Sequence, residues 1–139
     1  MLVMFDFCII GSGISGSTIA NFLSKKYSVQ ILDKARGPGG RASNKRFRDN
    51  LSFDHGVQYI SPKTEKFRNF VRQLCKKKIL KIWDGNHLDF TFEKKDNNQK
   101  FIGRIGNNAI SKYYLNASIK NINLKLKIFS IIIIFGKLH

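Results

Sequence analysis

Gly11-Ser12-Gly13-Ile14-Ser15-Gly16 decides how this chain folds. The spacing is GxGxxG. It follows an apolar, aromatic-rich segment, residues 3–10, which reads as a parallel strand buried on both faces. It opens residues 14–26, where Ile19, Phe22 and Leu23 fall on one side and Lys25 and Lys26 close the segment in the manner of a helix C-terminus. Residues 28–33 then form a short apolar run, Val29, Ile31 and Leu32, ending on Asp33. Strand, glycine turn, helix and strand closing on an acid within about thirty residues make one βαβ unit. The expected fold class is α/β, a Rossmann-like unit with an appended β-hairpin and further helices.

Each glycine has a physical task. Gly11 allows the tight turn out of the strand, Gly13 lets a phosphate approach the backbone, and Gly16 lets helix and strand pack closely. The first-turn amides around Ile14 and Ser15, at the positive end of the helix dipole, suit a pyrophosphate. Asp33 is placed to accept hydrogen bonds from an adenosine ribose, which fits NAD and FAD equally. A second glycine-rich, cationic loop follows at once: Lys34, Ala35, Arg36, Gly37, Pro38, Gly39, Gly40 and Arg41. Bare backbone at Gly39 and Gly40 and the forked guanidinium of Arg41 can approach the pyrophosphate from the other side, which favours FAD over NAD.

Downstream, residues 35–50 show no sustained period and read as an extended loop. Ser61 and Pro62 read as the start of a helix carrying Phe67, Phe70, Val71 and Leu74 on one face. Residues 79–83 and Leu88, Phe90 and Phe92 read as a hairpin about Asp84-Gly85-Asn86, with Trp83 and the two phenylalanines as its core. His87 and His139 read as solvated. Beyond Leu115 no cap or period is legible, and the β-prone run at residues 130–135 reads as an aggregation hazard.

The chain has 139 residues, enough for one domain, with 25 Lys and Arg against 9 Asp and Glu and a net charge of +16. The basic residues are dispersed and do not interleave with aromatics as a stacking platform requires, so no specific nucleic-acid partner is expected. Cys8 and Cys75 stand alone, without metal-ligand spacing; no metal site is expected, and a reducing, cytoplasmic setting fits. The N-terminal apolar segment contains Asp6 and lacks a basic flank, so it reads as a strand and not as a signal peptide. The apolar run at residues 128–135 is too short to cross a bilayer.

Taken together, GSGISG, Asp33, RGPGGR and Phe53-Asp54-His55-Gly56-Val57-Gln58-Tyr59 resemble the N-terminal part of the renalase-like flavoproteins, relatives of the FAD-dependent amine oxidases. Phe101-Ile102-Gly103-Arg104-Ile105-Gly106-Asn107 resembles a further glycine-containing stretch of that family before a helix. The likeness covers residues 5–115. It implies that Gly11, Gly13, Gly16 and Asp33 hold the ADP part of FAD, that Gly39, Gly40 and Arg41 line the pyrophosphate and flavin side, and that Gly56 and Gln58 lie near the isoalloxazine ring. Arg46 matches a second basic position of the family, although Asn44 stands where threonine is more usual.

Members of that family are considerably longer. The expectation is therefore a cofactor domain at 1–115 and a tail at 116–139 outside the family pattern, in a truncated or frameshifted chain. The activity implied is hydride transfer from an amine or a reduced nicotinamide-type substrate to flavin. An NAD-binding dehydrogenase domain and a non-enzymatic basic nucleotide- or nucleic-acid-binding protein are the alternatives. His55 beside Asp54 could move a proton, but a structural hydrogen bond is the expected role, since neighbours in a strand face opposite ways.

Overall fold

A computed structural model describes residues 4–48, 51–85, 98–116 and 122–123. Strand β1 (Phe7–Ile10) runs into the glycine turn, helix α1 (Ile14–Leu23) follows, and strand β2 (Val29–Leu32) lies parallel to β1 with Phe7 opposite Val29 and Ile10 opposite Leu32. The pair is clamped at its start by Asp6, whose carboxylate accepts from the Ser28 amide at 2.8 Å and from the Ser28 hydroxyl at 2.6 Å. The expected βαβ unit is present.

Its burial differs from expectation. Phe7, Cys8 and Ile10 are exposed and only Ile9 is half-buried. The cause is the strand order β1-β2-β7, which leaves β1 at the edge of the described sheet and puts β2 in the middle. Helix α1 is also shorter than its apolar run suggested, ending before Lys25 and Lys26, with the Ser24 amide bonding the Ala20 carbonyl. It buries Ser17 and Ala20, not Ile19 and Phe22, which are exposed. A face of small side chains lets the helix approach its neighbours closely.

The chain then forms a short 3-10 turn (Gly40–Ala42) and strand β3 (Asn44–Arg46), both within the span 35–50 that reads as a loop, and β3 pairs antiparallel with β4 (Ser52–Asp54). Helix α2 (Glu65–Lys76) begins later than Ser61. Ile60 exchanges backbone hydrogen bonds with Phe101 at 2.8 and 2.9 Å, which ties the chain ahead of the helix to β6, and extended Thr64 caps the helix, its hydroxyl accepting from the Phe67 amide at 3.3 Å. Strand β5 (Leu80–Ile82) pairs antiparallel with β6 (Phe101–Gly103). Among the described residues its partner is β6; the expected partner segment at Leu88, Phe90 and Phe92, with Asn86 and His87, lies outside the described residues.

Helix α3 (Ala109–Asn116) joins the two halves of the core. Its Ile110 packs with Val71, Leu74, Leu80 and Phe101, and its Leu115 packs with Ala20, Val29 and Ile31. Strand β7 (Ile122–Asn123) then lies parallel to β2, with Ile122 opposite Ile31. It is an element that the unpatterned sequence after Leu115 did not announce. The rest of the tail, including residues 128–135 and His139, is outside the described residues. No helix among the described residues is long and apolar enough to cross a membrane.

The end of α2 carries a local strain. The Ile79 amide reaches the Leu74 carbonyl and the Lys78 amide the Cys75 carbonyl, each at 2.9 Å, the two bonds of a Schellman motif. This places Lys78 at φ 60°, where glycine is the usual residue. A left-handed non-glycine costs roughly 1–2 kcal/mol, and glycine loses roughly 0.5–1 kcal/mol in chain entropy. Lys78→Gly is therefore expected to raise unfolding free energy by about 0.5–1 kcal/mol, read as an upward shift in a thermal melt.

Candidate nucleotide-binding site

Four short segments meet at the C-terminal end of the parallel pair: the glycine turn, the loop after β2, the 3-10 turn, and the strand end at residues 54–58. Ser12 is the hub. It is fully buried, its amide donates to Asp33 Oδ2 at 2.6 Å, and its hydroxyl donates to the same oxygen. Its carbonyl accepts from the Gly39 amide at 3.0 Å, and Gly13 and Gly39 form a parallel bridge. The two glycine-rich loops, separate in sequence, are thus tied backbone to backbone.

Asp33 is buried, and Oδ1 accepts from the Ala35 amide at 2.9 Å. Burial is the largest single influence and would raise its pKa. The hydrogen bonds from the Ser12 hydroxyl, the Ala35 amide and the Ser12 amide, with the nearby Lys34 charge, together outweigh it and hold the carboxyl below its ordinary value of 3.8. Oδ2 is committed to Ser12, while Oδ1 keeps acceptor capacity for a further donor such as a hydroxyl.

In the paired glycine loops, Gly16 and Gly39 are required by space. A Cβ at Gly16 would drive into the Gly11 carbonyl oxygen, so the helix can start against the strand only without a side chain there. Gly39 sits at φ 138°, and a Cβ on it would lie 2.8 Å from Asn108 Cβ and 2.9 Å from Ser43 Cα. Gly13 faces Gly40 in ordinary contact, and α1 starts at Gly13 with no side chain capping its first-turn amides. The result is an uncapped helix N-terminus, Ile14 and Ser15 included, beside bare backbone, the arrangement that phosphate favours.

The remaining expected residues fall into place around this core or apart from it. Lys34, Arg36 and Arg41 are exposed, with Gly40 beside them. Gly56 rests on Arg41: the Val57 amide donates to the Arg41 carbonyl at 2.9 Å, and a Cβ at Gly56 would strike that oxygen. Gln58 is exposed, and its carbonyl accepts from Asn107 Nδ2 at 3.1 Å. Arg46 lies instead on the exposed strand β3, in a cleft with Arg48, Ile105 and Lys112 to which no residue of the glycine turn contributes.

Two asparagines hold this region in roles that the sequence reading did not assign to them. Asn107 is fully buried; Oδ1 accepts from the Gly103 amide at 2.8 Å, Nδ2 donates to the Val57 carbonyl at 2.7 Å, and its backbone amide donates to Asp54 at 2.9 Å. Asn44 Nδ2 donates to the same Asp54 oxygen at 3.0 Å. Asp54 is thus a structural acceptor, and His55 makes the expected structural bond, Nε2 to the Ser43 hydroxyl at 3.2 Å. Trp83 packs against Tyr59 with ring centroids 5.6 Å apart and the ring planes tilted by 33°.

The fold is mixed α/β with a Rossmann-like unit, and residues 9–74 match the family described as NAD(P)-binding Rossmann-like domain. An uncharacterized protein of Methanocaldococcus jannaschii is 36% identical over 53 residues, which are 38% of this chain and 14% of that protein. Among solved structures, putrescine oxidase bound to putrescine is similar to 67% of this chain at 23% identity and a TM-score of 0.47. A double mutant of putrescine oxidase, from a redesign of its cofactor binding, is similar to 66% at 24% identity and a TM-score of 0.46. This chain spans 21% of the length of either putrescine oxidase chain.

Two outcomes test the geometry. Gly16→Ala should destabilise the fold by about 1–3 kcal/mol through overpacking, seen in denaturant unfolding. Because the folded carboxyl of Asp33 titrates below its unfolded value, its contribution is complete above pH 3.8 and lost as pH falls through the lower folded value. The stability gap between wild type and Asp33→Asn should therefore be constant near neutrality and shrink in acid.

Proposed function

We propose that this chain carries the ADP-binding part of an FAD-dependent oxidoreductase similar to the renalase-like amine oxidases. The observation that carries the proposal is the direct fastening of a second glycine loop onto the first, through the Gly39 amide and the Ser12 carbonyl at 3.0 Å. A fingerprint turn alone serves any dinucleotide. A second loop, anchored by buried Gly39 and continuing into exposed Gly40 and Arg41, adds a cation and, at Gly40, open backbone on the other side of the pyrophosphate.

The donor set fits such a group. The uncapped first turn of α1 offers amides to the phosphates, Arg41 offers a fork, and Asp33 Oδ1 can accept from a ribose hydroxyl. FAD, when bound, supplies the acceptor for a hydride from an amine or a reduced nicotinamide-type substrate, and the protein supplies binding and orientation. Gly56 and Gln58 extend from the Arg41 backbone toward the flavin end in this proposal, and the Asn107 bonds hold that strand end in place.

Titration of the purified chain with FAD, followed by flavin absorbance and fluorescence, tests this. Saturable binding that is lost in Gly13→Val and weakened by Arg41→Ala is the expected result. Binding of NAD without FAD would replace the proposal with a nicotinamide-binding domain, and binding of neither would end it.

A further inference from the structure

Away from the glycine turn, two adjoining clefts open where the end of α2, the turn between β6 and α3, and the β3–β4 pair come together. The first, about 450 Å³, has Ile79 and Ala109 as apolar walls, Tyr113 beside them, and Lys78, Arg104 and Lys112 around it. The second, about 500 Å³, is lined by Arg46, Phe47, Arg48 and Leu51. Ile105 and Lys112 line both. Ile105 is 84% exposed and stands as an apolar ridge between them.

Five cations therefore face the two clefts, and among the described residues that line them there is no carboxylate. The ion pairs found among the described residues join Glu65 to Arg68 and Arg72 on α2, away from this region. Like charges gathered on partly apolar walls repel one another and concentrate a positive potential. A phosphate dianion relieves that repulsion with charge-assisted hydrogen bonds. Lys78 contributes from a strained left-handed conformation in which glycine would be more stable.

Size and lining separate a small ligand from a polymer. Each cleft falls within the range of about 300–1,000 Å³ typical of small-molecule sites. A single strand of nucleic acid needs successive open aromatic faces along a groove. Here, among the described residues, Tyr113 and Phe47 are the aromatic residues on the two clefts, Lys77 Nζ already lies 5.1 Å from the Tyr113 ring centroid, and the Arg48 guanidinium covers Phe47 at 5.5 Å. We propose that these clefts form a binding site for a small phosphorylated molecule with an apolar ring, its phosphate held at Lys112, the cation common to both. The ring lies against Ile79 and Ala109, with Arg104 and Lys78 closing on the anion. The site is independent of the dinucleotide cradle.

Calorimetric titration of the full chain with phenyl phosphate tests this at fixed ionic strength. Wild type should bind at one site, Lys112→Ala should weaken binding about tenfold, and Lys26→Ala, an equal change of charge outside both clefts, should change it less than about twofold. Lys78→Gly, which is expected to fold more stably, supplies a second variant and should also weaken binding. Equal weakening by Lys26→Ala and Lys112→Ala would overturn the site, because net charge alone would then explain the affinity. So would loss of binding in Asp33→Ala but not in Lys112→Ala, or binding of a single-stranded oligonucleotide by a protein that ignores phenyl phosphate.

Discussion

The carboxylate of Asp33, gripped by both the amide and the hydroxyl of buried Ser12, is the interaction on which the rest of the structure depends. It closes the end of β2 onto the turn after β1. Once that turn is fixed, the Ser12 carbonyl points outward to receive Gly39, and the second loop follows. A charge buried this far must be hydrogen-bonded to be tolerable, and three donors bond it here, leaving Oδ1 room for one more. The same bonds that stabilise the anion shape the cradle, so structure and binding geometry have one origin.

Around this point the molecule is organised by backbone contacts between glycine-containing segments and by buried asparagines. Gly13 faces Gly40, Gly56 rests on Arg41, and Gly106 abuts the Asn44 side chain. Asn107 then ties β6 and α3 to the strand end at 54–58. Such a network is dense in hydrogen bonds and poor in apolar mass, and the two apolar clusters sit to its sides, connected through α3. Rigid positioning of loops, and not depth of core, is what this arrangement provides.

Much of this was legible because it follows from short-range rules. The GxGxxG spacing, the acid closing the second strand and the Phe67–Leu74 helical period each depend on neighbours in sequence. What was not legible depended on distance. The burial of β1 could not be known without its place in the strand order, and the late start of α2 follows from the pairing of Ile60 with Phe101, far along the chain. The hydrogen-bonding roles of Asn107 and Asn44 were not legible, because their partners lie on segments some fifty and ten positions away. Strand β7 is two residues long, too short to impose a pattern, and exists through its alignment with β2.

The central claim is that the paired glycine loops form one cradle for the pyrophosphate of a dinucleotide. Amide chemical-shift mapping of labelled protein on addition of ADP tests it most directly, since ADP carries the shared part of FAD and NAD. The account predicts the largest shifts at the amides of residues 11–17, with a second group at residues 33–41 moving at the same ligand concentrations. Shifts confined to the cationic clefts around Lys112, or spread in proportion to surface charge with the glycine amides unmoved, would contradict it.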